Sequence, residues 1–268
     1  MKIILNKKRL LKIIQNEKNL GFVPTMGSIH KAHISLIKKS IKMCDKTIVT
    51  IFVNKPQFNR KIDYLKYPRV LNKDISILRK LKVSYLYLPT QKQIYPSGPN
   101  KKIKISTFGK KLCGKSRPGH FEAVADVIER FIKIIKPKKI FFGEKDMQQL
   151  KIIIHYVKKN NLKSKIIGCK TVREKNGIAC SSRNYLLSKK EKNIASNIFK
   201  LIKSKKNYLL NKKSLNYFKN EILKLGASKI DYIKKLDTNK MVKPYYKKNK
   251  YKIFIAYYLG ATRLIDNI

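Results

Sequence analysis

Short apolar runs alternate with longer stretches of helical spacing over the first two-thirds of the chain. Leu20 to Pro24 reads as a strand, followed by a turn and a helix through His33 to Met43. Lys46 to Asn54 is rich in β-branched residues and reads as a second strand. Val70 to Leu81 has apolar residues at 70, 71, 75, 78 and 81, a helical spacing, and Val83 to Leu88 is the next strand. From Phe121 to Lys136 the residues Val124, Val127, Ile128, Phe131, Ile132 and Ile135 make one apolar helix face, which Pro137 ends. A strand over Lys139 to Gly143, a helix over Met147 to Lys159 and a strand over Lys165 to Arg173 complete the series.

Strand and helix in alternation predict an α/β fold, a Rossmann-like parallel sheet with helices on both faces. Such sheets bind ligands beyond the carboxyl ends of their strands, where the unusual residues of this chain cluster. After Asn184 the pattern changes. Two lysine-rich helices near Lys189–Lys203 and Ser214–Leu225 precede strands near Ile230–Leu236 and Tyr251–Tyr258. This predicts a first domain over residues 1–171 and a smaller α+β C-terminal domain over residues 172–268.

The length of 268 residues suits two domains, and 43% hydrophobic residues is enough for a sizeable core. The net charge of +49 raises the possibility of nucleic-acid or membrane-surface binding. Only nine of the 64 basic residues are Arg, and the lysines are scattered over every segment. A nucleic-acid reader concentrates its charge, often as Arg beside aromatic stacking partners. Compositional drift with abundant Lys, Ile and Asn is the better account, and no nucleic-acid partner is expected. Cys44, Cys113, Cys169 and Cys180 lie far apart without a C-x-x-C pair, which argues against a zinc site or disulfide framework. Charge interrupts the N-terminal apolar run too early for a secretory leader, and no run approaches a membrane span. A soluble, cytoplasmic protein is expected.

The most informative stretch runs from Gly21 to His33, Gly-Phe-Val-Pro-Thr-Met-Gly-Ser-Ile-His-Lys-Ala-His. A strand enters a Gly turn, and two histidines three residues apart sit at a helix start. A helix N-terminus offers free N–H groups and partial positive charge, suited to phosphate. Histidines there add donors where charge accumulates in a transition state. An isolated H-x-x-H more often caps and packs a helix. Here the stretch resembles the H-x-G-H signature of nucleotidyltransferases, and its V-P-T-M-G resembles the pantoate–β-alanine ligase (pantothenate synthetase) family.

Further segments carry the same resemblance in the same order. Phe52 to Phe58 is similar to F-V-N-P-x-Q-F with the Pro displaced by one, and Tyr67-Pro68-Arg69 follows. Arg117 to Phe121 matches R-P-G-H-F, and Phe142 to Leu150 matches F-G-E-K-D-x-Q-Q-L. Arg173 to Gly177 matches R-E-x-x-G, Ser181 to Asn184 matches S-S-R-N, and Thr262 to Asn267 also fits.

The resemblance implies ATP-dependent condensation of pantoate with β-alanine through a pantoyl-adenylate, giving pantothenate, AMP and pyrophosphate. In that reaction a carboxylate attacks the α-phosphorus, so cations must neutralise and place the triphosphate. His30, His33, Lys145 and Arg183 are the implied catalytic set. ATP contacts are implied at Pro24, Thr25, Met26, Gly27, His33, Gly143, Lys145, Asp146, Val172, Ser181, Ser182 and Arg183, with Asp146 as acceptor for ribose hydroxyls. Without the motif, Asp146 reads as the N-cap of the helix from Met147. Gln57 and Gln149 are the implied pantoate contacts, joined by Asn54, Arg117 and His120. Mg²⁺ is implied by ATP chemistry, with Asp74 a weak ligand candidate beside Lys73. A homodimer through the N-terminal domain and a C-terminal lid are also implied.

The chain departs from the pattern at Ala32 and Ala123, each in place of a usual Gly, and at Cys113 and Asp126, in place of Glu and Thr. Activity that is retained but slow is the expectation. Two other readings compete: another nucleotidyltransferase of the superfamily, and a decayed enzyme acting as a basic binding protein. The Gln pair and S-S-R-N argue against the former, and binding to nucleic acid that weakens steeply with salt would mark the latter.

Overall fold

The structure is a computed structural model describing residues 1–205, 212–238 and 251–268. It divides into two compact units, Met1–Lys170 and Thr171–Ile268. In the first unit the strands are β1 (Lys2–Ile4), β2 (Leu20–Thr25), β3 (Lys46–Ile51), β4 (Tyr85–Tyr87), β5 (Lys139–Gly143) and β6 (Lys165–Cys169). Its helices are α1 (Lys7–Ile14), α2 (Lys31–Met43), α3 (Lys61–Leu65), α4 (Leu71–Lys80), α5 (Gln91–Ile94), α6 (Cys113–Ser116), α7 (His120–Ile135) and α8 (Met147–Lys159).

The six strands pair in the order β1-β4-β3-β2-β5-β6, and every pairing is parallel. Neighbouring residues on a strand point to opposite faces, and the burial follows. Val23, Val49 and Phe141 pack with Leu36 and Ile37 of α2 and Leu78 of α4. Phe22 faces the other way and meets Phe131 of α7, with ring centroids 5.4 Å apart. Helices therefore cover both faces, which explains why the strands read as nearly continuous apolar runs. β3 lies on one side of β2 and β5 on the other, so the strand order reverses at β2. The crevice beyond the carboxyl ends at such a reversal is where sheets of this kind hold ligands.

Three expected boundaries shift. α2 begins at Lys31, with His30 as its N-cap, two residues before the expected start. β3 leaves the sheet after Ile51 instead of reaching Asn54, because Lys55–Gln57 tighten into a 3₁₀ turn containing Pro56. Proline has no N–H for a ladder bond. β6 stops at Cys169, and Arg173 belongs to the second unit, where its guanidinium binds Asp266.

The second unit contains α9 (Lys189–Ser204), α10 (Lys212–Lys224), β7 (Lys229–Asp237), β8 (Tyr251–Leu259) and β9 (Thr262–Asn267). The three strands form an antiparallel sheet in the order β7-β8-β9. Ile198 and Ile202 of α9 and Phe218 and Ile222 of α10 share a core with Ile233, Ile253, Ile255 and Leu264 of the sheet. A reciprocal cap starts α9: Ser188 Oγ accepts the Glu191 N–H, and the Glu191 carboxylate accepts the Ser188 N–H.

Candidate active site

The exit of β2 is held by its own side chains. Thr25 Oγ1 donates to the Thr50 carbonyl at 2.7 Å and accepts the Gly27 N–H at 3.1 Å. Gly27 has φ +84°, and a Cβ there would lie 3.0 Å from Asp74 Oδ2, so the turn requires glycine twice over. The next two backbone N–H groups go to Asp74, Ser28 to Oδ2 at 2.8 Å and Ile29 to Oδ1 at 2.7 Å. Asp74 is 1% exposed. Its two oxygens hold the loop. Among the described residues no group of three or more His, Cys, Asp or Glu is placed to hold a metal ion.

His30 and His33 form the start of α2 together. His30 Nδ1 accepts the Ala32 N–H at 3.3 Å, and His33 Nδ1 accepts the His30 N–H at 3.4 Å. The rings stack with centroids 4.0 Å apart. An Nδ1 that accepts places the ring proton on Nε2, so both rings are neutral and keep one N–H donor each. Capping and ligand donation are thus compatible roles in one side chain. Burial, reinforced by His30, lowers the His33 pKa from 6.5 to about 3, with Asp146 opposing and Lys145 assisting. β2 and β5 are neighbouring parallel strands, so their exits leave the same edge of the sheet.

The sign of this shift gives a prediction. Between about pH 3 and 6.5 the unfolded chain binds the His33 proton and the folded one does not, so stability falls as pH drops through that window. Above pH 6.5 His33 contributes no pH dependence. Ring NMR signals of His33 are expected to stay flat from pH 8 to about pH 5. An inflection near pH 6.5 would show that the ring is not held neutral.

At the exit of β5, a Cβ on Gly143 would meet nothing within 4 Å, which leaves open space against the backbone. Asp146 occupies the N-cap position of α8, but its side chain makes no capping bond. Instead its Oδ1 lies 3.4 Å from Lys145 Nζ, with the Lys side chain 17% exposed and the Asp side chain 47% exposed. Asp146 therefore holds the N-cap position without capping through its side chain, and its carboxylate remains half open to solvent. In the first turn of α8 the two glutamines differ. Gln148 is buried, its Oε1 accepting the Cys113 N–H and its Nε2 donating to the Phe108 and Lys111 carbonyls. Gln149 is half-buried, and no side-chain hydrogen bond engages it among the described residues.

Three motifs meet at Gln57, after β3. Its Nε2 lies 3.3 Å from Met26 Sδ of the β2 loop. Its carbonyl accepts from Arg117 Nη2 at 3.3 Å and lies 2.9 Å from His120 Nδ1. Arg117 and His120 thus shape the Gln57 backbone. Asn54 is 2% exposed and fully engaged by the protein. Its Nδ2 donates to Gln57 Oε1 at 3.1 Å and to the Ala123 carbonyl at 3.3 Å, while its Oδ1 accepts from Tyr95 Oη at 2.8 Å. Those bonds make Asn54 a holder of Gln57. Sequence reasoning missed the parts played by Tyr95, Gln148 and the Ala123 carbonyl, because each acts through a partner 35 to 69 positions away.

In the second unit the expected residues lie on one short, anchored segment. The Val172 carbonyl accepts the Cys180 N–H at 2.9 Å, closing a narrow hairpin that leads into Ser181. Arg173 pairs with both oxygens of Asp266 at 2.7 and 3.0 Å and lies over the Phe199 ring. Ser181 Oγ accepts the Arg183 N–H, and buried Asn184 donates to the Glu174 carboxylate and the Ala179 carbonyl. Ser182 is half-buried, and exposed Arg183 reaches the Arg263 carbonyl at 3.3 Å.

Comparison with known proteins agrees across the whole chain. Residues 2–268 match the family model described as Pantoate-beta-alanine ligase. A pantothenate synthetase of Endomicrobium trichonymphae is 42% identical, covering 100% of this chain and 97% of the relative. One of Azobacteroides pseudotrichonymphae is 43% identical, covering 97% and 95%. A crystal structure of a pantoate-beta-alanine ligase from Francisella tularensis, complexed with beta-gamma ATP and beta-alanine, superposes with a TM-score of 0.86 at 39% identity, covering 100% of this chain and 97% of that one. A pantothenate synthetase structure from Thermus thermophilus gives 0.92 at 27% identity, covering 100% and 99%.

Proposed function

Because the chain belongs to the pantoate–β-alanine ligase family and joins pantoate to β-alanine with ATP, we propose that the acid is first activated as pantoyl-adenylate in the first unit. The observation that carries this reading is the meeting of three strand exits at the reversal of strand order. The β2 loop with its histidine pair, the β3 turn with Gln57 and the β5 loop with Lys145 all leave the carboxyl edge of one sheet.

Each group has a role that its chemistry fits. The β2 loop from Pro24 to Gly27 and the open space at Gly143 receive the nucleotide. Asp146 accepts from the ribose hydroxyls. The Nε2–H groups of His30 and His33 donate to the phosphates as neutral donors, so neutralisation of charge falls to Lys145 and, from the second unit, Arg183. Ser181, Ser182 and the backbone at Val172 add polar contacts to ATP. Gln57 and Gln149 bind pantoate, with Asn54, Arg117 and His120 setting the shape around Gln57.

A pantoate carboxylate oxygen attacks the α-phosphorus, and pyrophosphate leaves. The β-alanine amine then attacks the acyl carbon, forming the amide and releasing AMP. Mg²⁺ would enter on the triphosphate oxygens. No step here depends on it. A cytoplasmic homodimer without a nucleic-acid partner completes the proposal; among the described residues no helix is long and apolar enough to cross a membrane.

The test is exchange of labelled pyrophosphate into ATP without β-alanine. Exchange that requires pantoate is expected, because only an adenylate intermediate returns pyrophosphate to ATP. A folded sample that makes pantothenate without such exchange would overturn the adenylate route.

A further inference from the structure

The amide of Gln57 is not free to choose which end it offers. An Asn or Gln amide has a donor end and an acceptor end of nearly equal shape, so its orientation is set by its partners. The Ala123 carbonyl can only accept, and Asn54 meets it at 3.3 Å, so the Asn54 end on that side is Nδ2. The same Nδ2 faces Gln57 at 3.1 Å, so Gln57 must turn Oε1 toward it. Nε2 of Gln57 is then the group left over, resting against the weak acceptor Met26 Sδ. A backbone carbonyl of α7 thus sets the polarity of two amides in succession.

Tyr95 closes the other end of this chain. Its hydroxyl donates to Asn54 Oδ1 at 2.8 Å, using the acceptor that the first constraint turned toward it. Burial and nearby Asp126 raise the Tyr95 pKa, keeping the phenol protonated as that donor requires. The ring is fixed as well. The Arg130 guanidinium lies 4.6 Å from its centroid and donates to the Ile94 and Gly98 carbonyls at 2.9 and 3.1 Å. Asp126, 3% exposed, accepts from Arg130 Nε at 2.6 Å and from the Asn100 N–H at 2.9 Å. Asp126 is therefore turned inward as a loop clamp and sits one helical turn from Ala123 on α7, so one helix holds both ends of the chain.

We propose that Tyr95 is a positioning residue: through Asn54 it locks the Gln57 amide with N–H outward, so that this site selects an oxygen acceptor of the acid substrate. The inference rests on the reading that Gln57 contacts pantoate. A carboxylate or hydroxyl oxygen fits the outward N–H, whereas a bare ammonium or amide N–H meets a like donor and is rejected.

The test measures KM for pantoate and for ATP separately in the pyrophosphate exchange assay, on Tyr95→Phe, Gln57→Ala and the double variant. Tyr95→Phe keeps the ring and removes only the hydroxyl. It is expected to raise the pantoate KM by about 5- to 10-fold and leave the ATP KM within about twofold, the size of one lost buried hydrogen bond. In the Gln57→Ala background the same change is expected to do nothing more to pantoate, because the group it positions is gone. A pantoate KM unmoved by Gln57→Ala would sink the reading of Gln57 itself. A Gln57→Ala effect with Tyr95→Phe silent, raising both KM values alike, or adding its full factor in the double variant would leave that reading standing and overturn the positioning role.

Discussion

Replacing Lys145 with alanine is expected to lower pantoate-dependent pyrophosphate exchange by about 10²- to 10³-fold while the protein stays folded. In the proposed mechanism the two histidines are neutral donors, so Lys145 is the principal positive charge that the β5 exit brings toward developing negative charge on the phosphates. Losing a preorganised group aimed at such charge costs about 3–4 kcal/mol of transition-state stabilisation. Its ion pair with the half-exposed carboxylate of Asp146 spans 3.4 Å, and such pairs contribute less than about 1 kcal/mol to folding. Activity and stability should therefore separate in this variant. An exchange rate within tenfold of the parent would remove Lys145 from the proposed mechanism, and His33→Ala in the same assay gauges the neutral donors independently.

Asp74→Ala is expected to be the most damaging single change to the first unit. Two buried backbone N–H groups, of Ser28 and Ile29, would lose their acceptor, and each unsatisfied buried donor costs about 1–3 kcal/mol. The sum is a loss of about 2–6 kcal/mol, read by chemical denaturation. Asp74→Asn keeps one carbonyl oxygen and should lose about half as much. The loop so released carries Gly27 and leads into His30, so ATP KM should rise in Asp74→Asn even under conditions where it is fully folded. Equal stability of Asp74→Asn and the parent, with ATP KM unchanged, would mean that the loop holds its shape without this carboxylate.

The parallel sheet was legible because strands buried on both faces read as apolar runs, and α7 because Val124, Val127, Ile128 and Phe131 repeat at helical spacing. β1 and α1 were not legible. A three-residue edge strand carries too little pattern, and α1 is heavily charged around its two buried positions, Leu10 and Ile14. The ends of β3 and β6 were overread because β-branched runs continue past the point where the ladder stops. Long-range pairings account for the rest. Asp74 meets residues 45 and 46 positions earlier, and Tyr95 meets Asn54 across 41. No local spacing reports such contacts. Lys145 stood out among so many lysines only through the motif around it, whereas the structure singles it out by its place at the exit of β5, next to β2 in the sheet.

The pairing of Arg173 with Asp266 bears on how the chain is made. Every strand of the first sheet has been synthesised once Cys169 is added, so that unit can close while the ribosome is still extending the second. Arg173 must then wait through 93 residues of synthesis for the carboxylate that pins it. Until β9 appears, the segment from Val172 to Asn184 has its local hydrogen bonds and its contacts with α9, where Ser196 Oγ donates to the Asn176 carbonyl and Phe199 lies under Arg173, but lacks the Asp266 and Arg263 partners. That segment is accordingly completed last, since its Arg173–Asp266 and Arg183–Arg263 contacts form only once β9 has been made and pairs with β8.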